Sequence, residues 1–263
     1  MHANTLLKAL LLTITLLPTS GLADAPADRR MRIPLAPMNG EGWQAGIHYN
    51  VLMMDSPKNT RVEILELSMY TSFFGTEDGV ATQRFRTQLK AWLQSSSDKF
   101  HFVRKPSVAG TPHARIMGSM FFALEMMGRS DLQEAMDAWV TEPRHEPAYH
   151  NIMHPDEREI EYWNLQFLRA HGVDTKTWKN AIVSEYVKNQ VSNIEAMTGM
   201  FAIQGTPTFV INRHFSTSAQ RLAYPNEVRD SDLQRLLKLI QYLANSELAE
   251  ADLRASPSAA LMK

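Results

Sequence analysis

The residues that could do chemistry fall in separate clusters, and one residue type is missing. Glu66 stands in "ILELSMYTSFFG" between Leu65 and Leu67. A carboxylate buried in such company has its pKa raised and can hold or pass a proton, although packing or a water network would equally retain it. "SFFG", Ser72 to Gly75, adds a hydroxyl and two aromatics; Phe73 and Phe74 suit either ligand contact or a core. In "FAIQGTPTFVI" Gly205 and Pro207 turn the chain into a β-branched strand. "RHEPAYHNIMHPDERE" brings His145, His150 and His154 together with Glu146 and Asp156. Imidazole and carboxylate are metal ligands, but the spacing matches no closed structural site, and Pro147 and Pro155 suit a polar loop. The chain has no cysteine, so it cannot form, shuffle or transfer a disulfide through its own residues. It shows no phosphate loop, no HExxH and no defensible Ser-His-Asp order.

The 263 residues are enough for one large domain or two interleaved ones. A 44% hydrophobic and 21% charged composition is that of a globular protein. The formal net charge of −1 leaves no electrostatic footprint for nucleic acid. Residues 1–23 read as a signal peptide: Lys8, the apolar "ALLLTITLLP", then "GLA" before Asp24. That run is short for a membrane span. The expected mature chain begins near Asp24 and is exported to a bacterial periplasm, with residues 24–46 as a loose lead.

The elements that must hold these clusters follow from periodicity. "IHYNVL" is a short strand candidate, and the nearly continuous apolar run in "RVEILELSMY" suits a strand covered on both faces. From Thr76 to Gln94 a helical stripe carries Val80, Phe85, Leu89, Trp92 and Leu93. "KFHFVRKP" closes a β-α-β unit, which requires a parallel pair. The centre, residues 107–199, reads as helices. Ser130 with Gln133 gives one capping box, a second helix starts near Asp156 and stops at Gly172, and Asp174 caps a long one. "TPTFVIN", the turn Asn212–Arg213 and "HFSTS" form a hairpin. Ser231 and Gln234 then cap a last amphipathic helix, and residues 246–263 read as a flexible tail.

This order resembles the DsbA-like branch of the thioredoxin superfamily from Ile47 to Asn245. The most specific part is "HGVDTKTWKNAIVSEYVKNQVSNIEAMTGMFAIQGTPTFVINRHF". The resemblance implies an α/β fold: a thioredoxin-like mixed sheet over residues 47–106 and 200–245, with residues 107–199 as the helical insertion. It places the family's Cys-x-x-Cys on Ser72-Phe73-Phe74-Gly75, or on Gly75 to Asp78 in a shifted register; neither contains sulfur. It further implies that Glu66 lies under the site, that Pro207 follows a cis bond, and that Thr206 offers backbone groups to an extended peptide.

A serine hydroxyl neither ionises as a thiol does nor stores two electrons. The expected function is therefore a chaperone-like or scaffold role: binding an extended peptide or a periplasmic partner protein, without disulfide exchange and without a cofactor, at Ser72–Gly75 and Thr206–Pro207. The kappa-type glutathione transferases and isomerases share this fold and suggest an alternative, in which Ser72 hydrogen-bonds a glutathione thiolate. A periplasmic metal-binding role for His145, His150 and His154 is a further alternative.

Overall fold

The structure is a computed structural model that describes residues 42–57, 61–68, 79–108, 111–140, 142, 144–145, 148–149, 155–201, 203 and 205–255. The signal peptide, most of the lead and the segment Ser72–Gly75 lie outside them.

Five strands form one mixed sheet. In chain order they are β1 (Asn50–Val51), β2 (Val62–Ser68), β3 (Phe100–Pro106), β4 (Thr208–Ile211) and β5 (Phe215–Ser218), and their spatial order is β1-β5-β4-β2-β3. Helix α1 (Gly79–Ser95) crosses from β2 to β3, which pair in parallel with Glu66 opposite Arg104. β4 returns antiparallel to β2, with Leu67 opposite Thr208 and Ile64 opposite Ile211. Pro207 therefore lies at the same end of the sheet as Ser68, and the β4–β5 hairpin lies at the other. The hairpin turn places Asn212 and Arg213 at φ values of 49° and 62°, the left-handed pair that a tight two-residue turn demands.

The apolar run of β2 is explained by cover on both faces. Val62 and Ile64 join the core made with Phe85 and Leu89 of α1, Phe209, and Leu233, Leu236 and Ile240 of the last helix. Leu65 and Leu67 face the other core, built with Met117, Met120 and Phe122 and with residues of the helices that follow. Those helices are α2 (Pro112–Met126), α3 (Leu132–Val140), α4 (Glu157–Ala170), α5 (Thr175–Ile182) and α6 (Glu185–Met200). After β5 come α7 (Ala219–Ala223) and α8 (Asp230–Ala255). The fold is thus a thioredoxin-like mixed sheet carrying a helical insertion. Among the described residues no helix is long and apolar enough to cross a membrane.

Several local expectations are corrected. Asp174 does cap a helix, its carboxylate accepting from the Thr177 N–H at 2.7 Å, but the long helix is two. Ser184 interrupts it and caps the second, accepting from the Val187 N–H, which satisfies a donor that the helix start leaves orphaned. Val80 is 58% exposed rather than on the buried stripe, and the inward face of α1 includes Ala81 instead. Gln133 makes no capping box with Ser130; its amide donates to the Phe121 carbonyl instead. Asp232, not Ser231, accepts at the start of α8, from the Arg229 N–H. The tail from residue 246 is not loose: α8 continues to Ala255, and Ser246 and Glu247 are buried, since Glu247 has partners on the hairpin. Residues 256–263 lie outside the described set.

Candidate functional site

Pro207 is buried and Thr206 half-buried where the chain enters β4. The Thr206–Pro207 peptide is cis. Thr208 turns its hydroxyl back to the Gly205 carbonyl at 2.5 Å, fixing the corner. Gln220, in α7, donates its side-chain amide to the Thr206 carbonyl at 2.8 Å. This contact occupies the Thr206 carbonyl from the α7 side.

Glu66 is 3% exposed. Its Oε1 makes no hydrogen bond but faces Arg86 at 3.7 Å and Arg104 at 3.9 Å. Arg104 instead makes a short ion pair with Asp137 at 2.9 Å and donates to the Ser68 hydroxyl at 3.0 Å. Arg86 also reaches Asp137, at 3.9 Å. Burial pushes the Asp137 carboxyl up, Arg104 and Arg86 hold it down, and the Glu66 charge adds a smaller push upward; the net direction is up. The four groups thus form a compact charged cluster in which two guanidiniums are shared by two acids.

Three of the four, Glu66, Arg86 and Arg104, line a cleft of about 550 Å³. Leu89 and Leu93 of α1, Phe102 of the edge strand β3 and Phe121 of α2 supply apolar walls, with Lys90 and Glu134 in the lining. Its shape and mixture suit a side chain or small molecule with an apolar body and a polar tip. Arg104 was legible in the sequence once β2 and β3 were paired in parallel, since it falls opposite Glu66. Arg86, Asp137 and Gln220 carried no local signal, because each comes from a separate helix.

Of the predicted site residues, Glu66, Thr206 and Pro207 lie toward the β2 C-terminal end of the sheet, as the strand register requires. Ser72, Phe73, Phe74 and Gly75 lie outside the described residues, so the glutathione reading keeps only its sequence basis. His145 is fully buried. Its Nδ1 bonds the Trp139 carbonyl at 2.8 Å, and its ring stacks on Trp139 at 3.9 Å between centroids and tilts against Trp163 at 4.3 Å. It is part of an aromatic core. His150 and His154 lie outside the described residues; among those described, no group of three or more His, Asp or Glu could hold a metal ion.

No family model matches the chain. It is 26% identical over 233 residues to the thiol:disulfide interchange protein DsbA of Burkholderia cepacia, covering 85% of this chain and 90% of that one. Its structure is similar to the crystal structure of Pseudomonas aeruginosa DsbA, with a TM-score of 0.60 and 23% identity over 81% of this chain and 98% of the other. It is also similar to the oxidoreductase DsbA of Xylella fastidiosa, with a TM-score of 0.58 and 17% identity over 78% and 98% of the two chains. Those structural likenesses speak for the fold. Taken with the sheet order and the helical insertion, they show a thioredoxin-like fold with a helical insertion, similar to that of the DsbA structures, in a chain that carries no cysteine.

Proposed function

We propose that this protein is exported to the periplasm and binds an extended peptide or partner protein at the Thr206 end of its sheet, without disulfide exchange. The observation that carries the reading is the absence of any cysteine from a chain that otherwise keeps the DsbA-like fold. Without a thiolate, the oxidase reaction has neither nucleophile nor electron store, whereas strand-like recognition through backbone groups needs no particular side chain. The backbone at Thr206, whose carbonyl accepts from Gln220, is where an extended segment would add. The cleft above Glu66, Arg86 and Arg104 is suited to one side chain of such a partner.

The test is a binding titration by fluorescence anisotropy against a panel of short, overlapping, cysteine-free unfolded peptides, run beside a standard thiol oxidation and reduction assay. The reading expects saturable binding to members of the panel and redox rates no higher than a buffer blank. Gln220→Ala, which removes the contact to the Thr206 carbonyl, should tighten binding by several-fold, in keeping with about 1 kcal/mol for one hydrogen bond. Redox turnover above the blank, or no binding across the panel, contradicts it.

A further inference from the structure

At the hairpin end of the sheet, remote from Thr206, three residues from distant parts of the chain meet. Ser56 Oγ lies 3.1 Å from His214 Nε2. His214 Nδ1 lies 2.8 Å from Glu247 Oε2. His214 and Glu247 are 3% and 4% exposed, whereas Ser56 is exposed. The Asn212 side-chain amide donates to Glu247 at 2.6 Å and stands 3.4 Å from Ser56 Oγ.

One hydrogen arrangement of this network sets a base against the hydroxyl. An ionised Glu247 can only accept, so His214 carries its proton on Nδ1 and donates it to Oε2. With the ring neutral, Nε2 is then an acceptor toward the Ser56 hydroxyl 3.1 Å away. A solvent-facing hydroxyl hydrogen-bonded to a buried base, with that base oriented by a buried carboxylate, is the arrangement that activates a serine nucleophile.

We propose that Ser56, His214 and Glu247 form an acyl-transfer triad that hydrolyses small carboxylic esters. Oγ bonds to the ester carbonyl carbon while its proton passes to Nε2 and the carbonyl pair becomes an oxyanion, with the Asn212 amide within reach to donate to it. Collapse breaks the carbon–oxygen bond to the alcohol, which leaves with the proton from Nε2. Water then attacks the acyl-Ser56 by the same route, releasing the carboxylic acid and restoring the hydroxyl. Esters are the expected class because Ser56 sits at the surface. A surface site offers little remote binding energy, and an alkoxide or phenoxide leaving group needs less of it than an amide.

The experiment is labelling of the full chain with a fluorophosphonate probe, with mass spectrometry to locate the adduct, and turnover of p-nitrophenyl acetate in parallel. The expected result is phosphonylation of Ser56 with loss of fluoride in the folded protein and none after unfolding in urea. Ser56→Ala should abolish both labelling and turnover. His214→Gln should slow them by about 100-fold or more, the lower bound of what a positioned base contributes. Ser56 is exposed, so Ser56→Ala folds as the parent does and its result stands apart from stability. No adduct at Ser56 on the folded chain, or ester turnover unchanged in Ser56→Ala, overturns the proposal. The triad is independent of the peptide-binding reading, and either can fail alone.

Discussion

Two glutamates, Glu66 and Glu247, are buried to the same degree, at 3% and 4% exposure, and are satisfied in opposite ways. Glu247 takes hydrogen bonds from His214 and Asn212 at 2.8 and 2.6 Å. The Oε1 of Glu66 takes none, and its arginines stand back at 3.7 and 3.9 Å. A buried acid with short bonds pins elements together, here α8 to the hairpin. One held only by a diffuse field offsets little of its desolvation and leaves an acceptor for something else. Glu66, with Arg86 and Arg104, lines the cleft.

The largest effect that could break this contrast is expected at Glu247. Glu247→Ala strands two buried donors and should destabilise the protein by about 3 kcal/mol in urea unfolding. A loss below about 1 kcal/mol would mean the network does not hold α8. Next, Arg104→Met removes the short partner of Asp137 and should cost about 2 kcal/mol, with Arg86 alone left to face both acids.

A smaller effect is a pH dependence at Asp137. Its carboxyl is raised in the folded state, so folding favours the protonated form. Stability attributable to this group is therefore fully present below the ordinary carboxylate value of 3.8 and is lost as pH rises through the raised folded value. Asp137→Asn should gain stability relative to the parent as pH rises through that window; a difference that stays flat would show that the arginines cancel the burial. Smallest of all, Glu66→Leu should fall within about 1 kcal/mol of the parent, of either sign. A loss comparable to that at Glu247 would erase the contrast.

The sheet was legible because strand periodicity and a β-α-β crossover constrain each other, and Glu66 opposite Arg104 follows from that pairing. Helix ends were less legible. Ser184 looks like an ordinary polar residue inside a helical stripe until its hydroxyl is seen to cap α6. "NSELAEADL" reads as polar tail, and only the His214 and Asn212 partners across the fold explain why Glu247 is buried. Ser56, His214 and Glu247 come from a loop, a hairpin and a terminal helix, so no local spacing could have joined them. Gln220 was missed for the same reason: its role lies in reaching Thr206 across a strand and a turn.

The proposed binding of extended chain at the Thr206 end of the sheet, without thiol chemistry, is open to direct measurement. The most direct measurement replaces Thr206 with a photo-crosslinking residue, irradiates with a cysteine-free peptide that binds, and maps the adduct, with Val183 (63% exposed on the insertion) as the control position. The account predicts peptide adducts at 206 that untagged peptide competes away, and none at 183. Adducts at 183 as abundant as at 206, or none at 206 with a peptide that binds in solution, would contradict it.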